Sequence, residues 1–405
     1  MKQIDEILPA TVENSRVWAH IDLDALAHNY IVSRDYIQAQ SPDTPAVAVI
    51  KADAYGHGIG PCARTLYRCG CRHFAVACAE EGIAIRQALA DLAAERAEIL
   101  ILGHTPTSCV ALLQQFDLTQ TLYSLTYAND LHAAAKNAGV CINAHVKVDT
   151  GMHRIGFPAF TPEQAASTVE QICALQDGYD AFCIQGLFTH LSDADSGNFC
   201  YEQWQRFLSV KQGLEARGKC PEVCHACNSP GCMRYPETYL DGVRIGALLF
   251  GVAPVISPKL DRNPGCNLFP AEQLRPVMRL QTRVIQTHTV AAGEPVGYGA
   301  LYRADHDRTV ATLSAGYADG WLRAYADTVV TVHTSQGDFT APLVGRICMD
   351  LCMIDVTGLP CHPGDTVTLF GNDVLSLASL AKHAGSIAYE IPCLVTARVP
   401  RIFHE

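Results

Sequence analysis

Charged side chains are scarce in this sequence of 405 residues. They make up 18% of the chain, whereas a soluble domain averages about 25%. Basic residues are also fewer than acidic ones, 30 against 41, and the formal net charge is −11. Because a constitutive nucleic-acid binder needs a basic face to neutralise phosphates, this balance argues against that class of protein.

Long apolar runs are missing as well. The longest, around residues 247–256, is far short of the roughly 20 apolar residues that span a bilayer. The opening residues MKQIDEILPA lack the apolar segment of a secretory signal. We therefore expect a cytoplasmic protein with no membrane partner.

Cysteine, in contrast, is abundant, with 18 residues. Disulfides are rare in a reducing cytoplasm, so we expect free thiols. The closest spacing is that of Cys220, Cys224, Cys227 and Cys232, which could supply four zinc ligands. However, a strand over 222–228 would point Cys224 and Cys227 to opposite faces. Most cysteines lie in apolar stretches, as small core residues do, and we expect no metal site.

Short β-branched or alternating apolar runs recur along the first 250 residues, separated by stretches with helical periodicity. The strand candidates are AVAVIKA (46–52), HFAVACA (73–79), EILILG (98–103), LTQTLYS (118–124), INAHVKVDT (142–150), FCIQGLFTH (182–190), EVCHACN (222–228) and GVRIGALLF (242–250). Helices are predicted at 59–68, 80–90, 107–115, 126–138, 161–175 and 200–217. This alternation predicts an α/β fold with a (β/α)8 TIM-like barrel, and an open doubly wound sheet is the alternative.

The residue pattern of the sequence changes after residue 256. Residues 257–276 are rich in Pro, Asn and Gly, which is typical of a linker. The strand-like runs beyond them are VMRLQTRVIQTHTV, RTVATLS, TVVTVHT, APLVGRICM, LCMIDVT, DTVTLFG and LVTARVPRIF, with one helix-like segment, SLASLAKHAG. We therefore predict an N-terminal extension (1–15), the barrel (16–256), the linker (257–276) and a mostly β C-terminal domain (277–405). The run VWAHIDL (17–23) is a candidate to pair with the β domain.

Lys51 lies near the carboxyl end of the first predicted barrel strand, the face where barrel enzymes keep their active sites. A charged lysine among apolar residues carries a desolvation cost, and an imine with an aldehyde cofactor would remove the charge. The adjoining Tyr55-Gly56-His57-Gly58 offers a hydroxyl and two glycines that can approach a phosphate. The alternative is a lysine whose amine reaches solvent at the strand end.

This stretch resembles the cofactor-lysine motif of the alanine racemase family, pyridoxal phosphate enzymes that combine an α/β barrel with a β domain. The resemblance covers roughly residues 16–403. It continues in order through HVKVDTGMHRIGF (145–157), FTHLSDAD (188–195), NSPGC (228–232), VRIGALLFG (243–251), VGYGALY (296–302), GYADGWLR (316–323), GRICMD (345–350), AYEIPC (388–393) and RVPRI.

The resemblance implies a two-base interconversion of L-alanine and D-alanine that supplies D-alanine for peptidoglycan. Lys51 and Tyr298 would be the two bases, on opposite faces of the α-carbon. His190 would lie beside Tyr298, and Arg244 would face the ring nitrogen of the cofactor, where a guanidinium that keeps its proton disfavours ring protonation. Arg154 would bind Tyr298 and the substrate carboxylate.

Further residues take roles from the same resemblance. The implied cofactor contacts are Lys51, Tyr55, Asn228, Ser229, Arg244, Gly246, Ala247 and Tyr389, and the implied substrate contacts are Arg154, Tyr298 and the Met349 amide. The substrate corridor would contain Asp195, Tyr317, Arg323, Arg346, Asp350 and Ile387, and Lys147 would carry a carbamate. A homodimer with shared active sites is implied, in which the residues contributed by the partner subunit are Tyr298, Tyr317, Arg323, Arg346, Met349 and Asp350. Without the resemblance, Ser229 is equally an N-cap serine and Arg244 a salt-bridge residue.

The sequence departs from the family pattern at a few positions. His153 stands where the family generally has glycine, Gly297 replaces a frequent serine, and Ser314-Ala315 replaces an apolar pair. The bulky ring of Tyr389 favours alanine over serine only weakly, since a pocket discriminates one small group by about 1–3 kcal/mol. A serine or broad-specificity racemase therefore remains an alternative. A barrel protein that binds the cofactor without catalysis is disfavoured by the β domain that carries Tyr298.

Overall fold

Two compact units make up the chain in a computed structural model that describes residues 11–12, 14–92, 95–256 and 268–405. The barrel unit contains Ala27–Ala54 and Ile59–Leu274, and the β unit contains the residues up to Leu26, Tyr55–Gly58 and Arg275–Glu405. The predicted linker (257–276) and N-terminal extension (1–15) fall largely outside the described residues, so the domain boundaries stay predictions. Within the described ranges, no helix is long and apolar enough to cross a membrane.

Eight parallel strands form the sheet of the barrel unit, in the spatial order β10-β2-β3-β4-β5-β6-β8-β9. They are β2 (Ala46–Val49), β3 (His73–Val76), β4 (Glu98–Ile101), β5 (Thr119–Leu122), β6 (Ile142–Asp149), β8 (Phe182–Phe188), β9 (Val223–His225) and β10 (Val243–Ile245), with the short β7 (Phe157–Pro158) paired to β6. The ring meets between β9 and β10, where a single parallel bridge joins Asn228 to Arg244. This nearly closed barrel confirms the predicted (β/α)8 type and rules out the open sheet.

Helices follow the barrel strands, and sequence-encoded caps begin and end the one at Leu125–Ala138. The helices are α2 (Ile59–Arg68), α3 (Ala79–Leu89), α4 (Val110–Gln115), α5 (Leu125–Ala138), α6 (Pro162–Gly178), α7 (Phe199–Glu215) and α8 (Ser229–Arg234), and they follow α1 (Leu23–Gln40), which leads into β2. The Ser124 side chain accepts a hydrogen bond from the Tyr127 amide at the start of α5, and Gly139 ends that helix with a left-handed φ of 66°.

The predicted strands are correct in place but too long at their carboxyl ends. The run 242–250 is a strand only over Val243–Ile245, and a 3-10 helix follows at Ala247–Phe250. The run 222–228 is a strand only over Val223–His225, so Cys227 lies beyond it. The reason is that residues beyond the last ladder hydrogen bond turn into the loops at the barrel mouth, while apolar character continues into those buried loops.

The β unit is a mostly antiparallel sheet in the order β14-β17-β16-β15-β18-β11-β1-β19, with β14 also paired to β11. The strands are β1 (Val17–Asp22), β11 (Met278–Val290), β14 (Arg308–Leu313), β15 (Val329–Thr334), β16 (Gly337–Val344), β17 (Cys352–Asp355), β18 (Thr366–Phe370) and β19 (Arg401–His404), beside a small hairpin of β12 (Pro295–Val296) and β13 (Tyr302–Arg303). The helices α9 (Leu377–Ala384) and α10 (Glu390–Cys393) precede β19.

One long strand, β11, organises this sheet. Its first half pairs with β1 and β18, its second half pairs with β14, and the register shifts between Val284 and Gln286. Such a bulge bends a strand and lets it change neighbours. Because β11 also pairs with β14, the strands form a closed ring in the order β11, β14, β17, β16, β15 and β18. The run 17–23 pairs as anticipated, with Val17 opposite Thr282. The predicted strand LVTARVPRIF is wrong except at Arg401–His404, because turns occupy the residues around Pro400.

The cysteines of the described ranges are all free, and those at 62, 71, 200, 224, 227, 232, 352 and 361 are buried. Cys220 and Cys224 bring their Sγ atoms to 3.8 Å from each other. Cys232 points elsewhere, with its Sγ 3.7 Å from the Tyr239 hydroxyl. No group of residues in the described ranges has the arrangement of a metal site.

Candidate active site

Lys51 lies two residues after the end of the first barrel strand, and a left-handed helical turn begins there. The next four residues, Ala52, Asp53, Ala54 and Tyr55, have φ angles of 53–55°. For L-residues this conformation costs roughly 1–2 kcal/mol each, and runs of it are rare outside glycine. Strain of this kind concentrates where a backbone must be held in one arrangement for function.

Lys147, near the end of β6, is buried with its Nζ atom 5.8 Å from the centre of the Phe188 ring. Burial lowers the pKa of its ammonium group to about 7, and the positive charges of Arg154 and Arg244 act in the same direction. A large fraction of this amine is therefore uncharged, and nucleophilic, near neutral pH.

The loop that carries Arg154 is held by the buried carboxylate of Asp149 at the end of β6. Asp149 accepts hydrogen bonds from the backbone amides of Gly151 at 3.0 Å, His153 at 3.1 Å and Arg154 at 3.1 Å. His153 adopts a left-handed φ of 53°, which explains why glycine is usual there. The Arg154 side chain is exposed at this edge of the barrel.

A directed chain of hydrogen bonds starts at Arg244, which is buried on β10. Its guanidinium lies 2.5 Å from Nδ1 of His225, and Nε2 of His225 lies 3.1 Å from Nδ1 of His145. Arginine only donates, so His225 must accept at Nδ1 and carry its proton on Nε2, from which it donates to His145. Burial lowers the pKa of Arg244 to about 10, which leaves it charged at neutral pH.

His190 accepts from the same guanidinium, through its Nδ1 atom at 3.3 Å. Burial, and then the positive charge of Arg244, hold the pKa of His190 well below its ordinary value. The imidazole is therefore neutral, with its proton on Nε2. Arg244 is fixed further by the carbonyls of Thr189 at 2.7 Å and Ala226 at 3.0 Å.

Ser229 is not an N-cap serine. Asn228 caps α8 by accepting from the Gly231 amide at 3.0 Å, and its own amide group donates to the Leu191 carbonyl at 2.8 Å. The buried Ser229 hydroxyl instead accepts from the Gly246 backbone amide at 3.1 Å, just before Ala247. The Ser229 hydroxyl and an amide of the β10 loop are thereby brought together.

Asp195 lies on the loop after β8, where its Oδ1 atom accepts from the Ser196 hydroxyl at 3.2 Å. It is partly buried. Among the predicted site residues of the barrel unit, Asp195 is the most distant in sequence from the end of the preceding strand, which is β8.

Tyr55 and Tyr389 lie together in the β unit, with ring centres 6.5 Å apart and an edge-to-face angle of 89°. Burial raises the pKa of Tyr55, so its hydroxyl is a hydrogen-bond donor at neutral pH. The neighbouring Gly56 has a φ of 79°, and a Cβ atom there would lie 2.2 Å from the Pro392 carbonyl oxygen. This close approach requires glycine.

Tyr298 stands exposed between two glycines, with 70% of its surface accessible. Gly297 and Gly299 have φ angles of 77° and 78°. Glycine at 297 therefore relieves the strain that the family's frequent serine would have at this φ. The turn presents the phenol outward from the β unit.

Tyr317 and Met349 are held on adjacent segments of the β unit. The Tyr317 amide donates to the Cys348 carbonyl at 3.0 Å, and the Ala318 amide donates to the Met349 carbonyl at 2.9 Å. Asp350 pairs with Arg398, which also binds the buried Asp319. These contacts fix a strip of the β unit from which Met349 projects, 54% exposed.

Arg323 and Arg346 line a surface cavity of about 660 Å³ in the β unit, together with Leu301, Tyr302, Ala324, Ala326, Asp327, Gly345 and Ile347. Ile387 is exposed elsewhere on this unit. Ser314 and Ala315 replace an apolar pair of the family pattern. Ser314 is buried, and its hydroxyl donates to the Arg16 carbonyl at 3.0 Å. This bond gives the polar residue a structural role.

Sequence reasoning missed four side chains that organise the site: Glu81, Asp149, His145 and His225. Asp149 and His145 stand inside the quoted motif 145–157, but their types alone do not reveal whether they bind backbone or ligand. His225 lies between Cys224 and Cys227 in the sequence, where no motif marks it. Its partnership with Arg244, 19 residues away, depends on the closure of the barrel.

The comparisons with known proteins cover nearly the whole chain. The family model for "Alanine racemase, N-terminal domain" matches residues 21–254, and that for "Alanine racemase, C-terminal domain" matches residues 277–403. The alanine racemase of Desulfovibrio desulfuricans is 39% identical over 96% of this chain and 98% of its own length. That of Geobacillus stearothermophilus is 35% identical over 95% and 93%.

Solved structures agree with this. An alanine racemase of Clostridium difficile superposes with a TM-score of 0.83 at 32% identity, covering 96% of each chain. The alanine racemase of Bacillus anthracis with bound L-Ala-P gives a TM-score of 0.81 at 29% identity, covering 96% of this chain and 95% of that one.

Proposed function

This chain belongs to the alanine racemase family, and we propose that it interconverts L-alanine and D-alanine with pyridoxal phosphate, using Lys51 and Tyr298 as the two bases. The observation that carries the proposal is the group of side chains at the carboxyl ends of the barrel strands. These side chains lie in the last residues of the strands or shortly after them, and they are Lys51, Lys147, Arg154, His190, His225 and Arg244. The product D-alanine would serve peptidoglycan synthesis in the cytoplasm.

The donor set of the barrel mouth fits pyridoxal phosphate. The Ser229 hydroxyl and the amides around Gly246 and Ala247 suit a phosphate, and Asn228 holds the turn. Tyr55 and Tyr389 are proposed as further cofactor contacts, as the family resemblance implies. Lys51 supplies the amine for the covalent link, and Arg244 supplies a donor for the ring nitrogen. When bound, the cofactor delocalises the electron pair left by the α-proton of the amino acid.

The two bases divide the proton transfers between them. The Lys51 amine takes or gives the α-proton on one face, and the Tyr298 phenol oxygen does so on the other. A tyrosine has an ordinary pKa of about 10, so it needs donors beside it to act as a base. His190 is suited to this role because its Nδ1 accepts from Arg244, which leaves an N–H on Nε2 to donate to the phenolate.

Substrate binding falls to Arg154, whose guanidinium matches a carboxylate, and to the Met349 amide. We propose a carbamate on Lys147, formed when the neutral amine attacks carbon dioxide and releases a proton. The carbamate would place an anion where the protonated amine is a cation, and this anion would orient Arg154 and remove the repulsion between the two side chains. Asp195, Tyr317, Arg323, Arg346, Asp350 and Ile387 are the proposed corridor to solvent.

A homodimer with shared sites is part of the proposal. Its support is the exposure of large apolar side chains on the β unit. Among these are Tyr298, Leu301, Tyr317, Met349, Leu351, Ile387 and Tyr389. The partner subunit would cover them and receive Tyr298 in its barrel mouth.

The test of the cofactor assignment is spectroscopic. Purified protein is expected to be yellow, to lose its colour on borohydride treatment, and to carry the reduced cofactor on the peptide that contains Lys51. The Lys51→Ala variant should not be labelled. A wild-type protein that stays colourless with added pyridoxal phosphate would contradict the proposal.

Alanine is the preferred substrate in this proposal, because the family resemblance implies that the bulky ring of Tyr389 lies near the substrate side chain, where it would leave more room for a methyl than for a hydroxymethyl group. Initial rates with L-alanine and L-serine, measured separately, should favour alanine by about 10-fold or more. Equal rates would assign a broad-specificity racemase instead.

A further inference from the structure

The left-handed turn after Lys51 receives its support from Glu81, a residue on a different element. Glu81 lies in the first turn of α3. Its Oε1 atom accepts the Ala52 amide at 2.5 Å and the Asp53 amide at 3.3 Å, while Oε2 accepts the Ala77 amide at 2.8 Å. One carboxylate therefore binds the turn after β2 and the loop after β3.

The geometry of these bonds explains why the turn keeps a conformation that L-residues avoid. Within the segment, the Ala54 amide donates to the Ile50 carbonyl at 3.0 Å, and the Asp53 carboxylate accepts the Ile59 amide at 2.7 Å. These local bonds close the turn and start α2. Glu81 satisfies the amides of Ala52 and Asp53 at the point where the backbone leaves the strand, and bonds to a carboxylate are stronger than neutral ones.

We infer that Glu81 is a positioning residue for the racemase reaction: its carboxylate holds the turn 52–55 and thereby fixes the backbone from which Lys51 projects. This inference rests on the proposed function, in which the Lys51 amine transfers the α-proton. Misplacement of a reacting group by about 1 Å can cost 100-fold in rate. Glu81 itself does not touch the reacting atoms.

Glu80 offers a matched control in the same helical turn. Glu80 is acidic and exposed, whereas Glu81 is partly buried, and the carboxylate that accepts the amides of Ala52 and Asp53 is that of Glu81, not of Glu80. Glu80→Ala and Glu81→Ala remove the same charge from the same helix start, so any shared effect on α3 or on net charge cancels. Glu81→Gln keeps one oxygen for the amides of Ala52 and Asp53 but turns an amide nitrogen toward a second donor.

The experiment compares wild type with Glu81→Ala, Glu81→Gln, Glu80→Ala and Glu80→Gln. We expect Glu81→Ala to lower kcat for alanine by about 10-fold or more while KM changes less than about threefold, because the lysine is misplaced and the substrate contacts remain. The yield of borohydride-trapped pyridoxal phosphate on Lys51 after brief exposure should fall in parallel. Glu81→Gln should lie between, and both Glu80 variants should match wild type.

A crystal structure of Glu81→Ala supplies a readout that does not depend on activity. We expect residues 52–55 to leave the left-handed region, with Glu80→Ala unchanged. If Glu81→Ala does not fold, Glu81→Gln takes its place in every measurement. Wild-type kcat and trapping in the Glu81 variants, or an unaltered turn, would overturn the inference. A wild-type protein that traps no cofactor would instead overturn the proposed function, and the conformation of the turn would still test Glu81.

Discussion

Positive charge is concentrated at the carboxyl ends of the barrel strands, where burial and then the charges of Arg154 and Arg244 lower the pKa of Lys147. Burial and the same two arginines also hold down the pKa of His190. Such crowding is unfavourable unless anions share the site. A phosphate, a substrate carboxylate and a carbamate on Lys147 would each supply one. His190 and His225 are neutral because burial, and then the charge of Arg244, lower the pKa of both imidazoles. The hydrogen bonds agree with this, since Arg244 can only donate and each imidazole must accept from it.

The lowered pKa of Lys147, about 7, has a defined consequence for carbamate formation. Only the neutral amine attacks carbon dioxide, so the carbamate should be present at pH 8 and decline as the pH falls through about 7. Carbon NMR with labelled bicarbonate should detect a carbamate signal in wild type and none in Lys147→Arg. A wild-type spectrum without that signal at pH 8 would contradict the assignment.

The lowered pKa of Lys147 also affects the free energy of unfolding when carbon dioxide is excluded. The folded state holds the proton of Lys147 less tightly than the unfolded state, whose pKa is near 10.5. Folding therefore carries the full cost of a buried ammonium below pH 7, and this cost fades as the pH rises from 7 toward 10.5.

His153 is strained by its left-handed backbone, and His153→Gly should relieve part of that strain. The expected gain is about 0.5–1 kcal/mol, after the added entropy of glycine in the unfolded chain is subtracted. His153→Ala is the control, since it removes the ring that lies 4.2 Å from Phe160 but keeps the β-carbon. Urea unfolding should show stabilisation for glycine and none for alanine; a stabilised alanine variant would mean that the ring, not φ, is responsible.

At the scale of elements, the sequence predicted all eight barrel strands because each is a short apolar run bounded by turn residues. The helix Leu23–Gln40 was not predicted, although Leu23, Leu26, Tyr30 and Ile37 are spaced for one face and all are buried. Its β-branched and aromatic residues weakened the helical pattern. The left-handed turn could not be predicted, since nothing in the letters of Ala52-Asp53-Ala54 marks a positive φ.

The Asp149 carboxylate holds the backbone of the loop 149–154, which carries Arg154. Substitution of Asp149 therefore tests whether this loop positions the Arg154 side chain. Asp149→Ala removes the acceptor of three backbone amides and frees the Arg154 loop. We expect KM for alanine to rise by about 10-fold, because a mobile loop must be ordered when the substrate binds. Asp149→Asn retains one acceptor oxygen and should show a smaller rise, whereas an unchanged KM in both variants would contradict this role of Asp149.

At the scale of the whole molecule, the proposed bases lie in different units, Lys51 in the barrel unit and Tyr298 in the β unit. The family resemblance implied that the two meet across a dimer. No pattern within one chain reveals such an interface. The exposed apolar residues of the β unit are the feature that supports it.

Mixing two inactive variants tests the shared site. Lys51→Ala and Tyr298→Phe should each abolish racemisation, the latter while keeping the yellow colour. If Tyr298 serves the partner's barrel, a mixed dimer has one intact site. Denaturing and refolding the two together should then restore about a quarter of wild-type activity, since half of the dimers are mixed and each has one of two sites. Full inactivity of the mixture, with dimers seen by sedimentation, would place both bases on one chain.

The racemisation of L-alanine by purified protein with pyridoxal phosphate tests the central claim most directly. Chiral chromatography should show D-alanine accumulating until the two enantiomers are equal, because they have the same free energy in water. The Lys51→Ala variant should produce none. If wild-type protein that has bound the cofactor leaves L-alanine unchanged, this chain is not an alanine racemase.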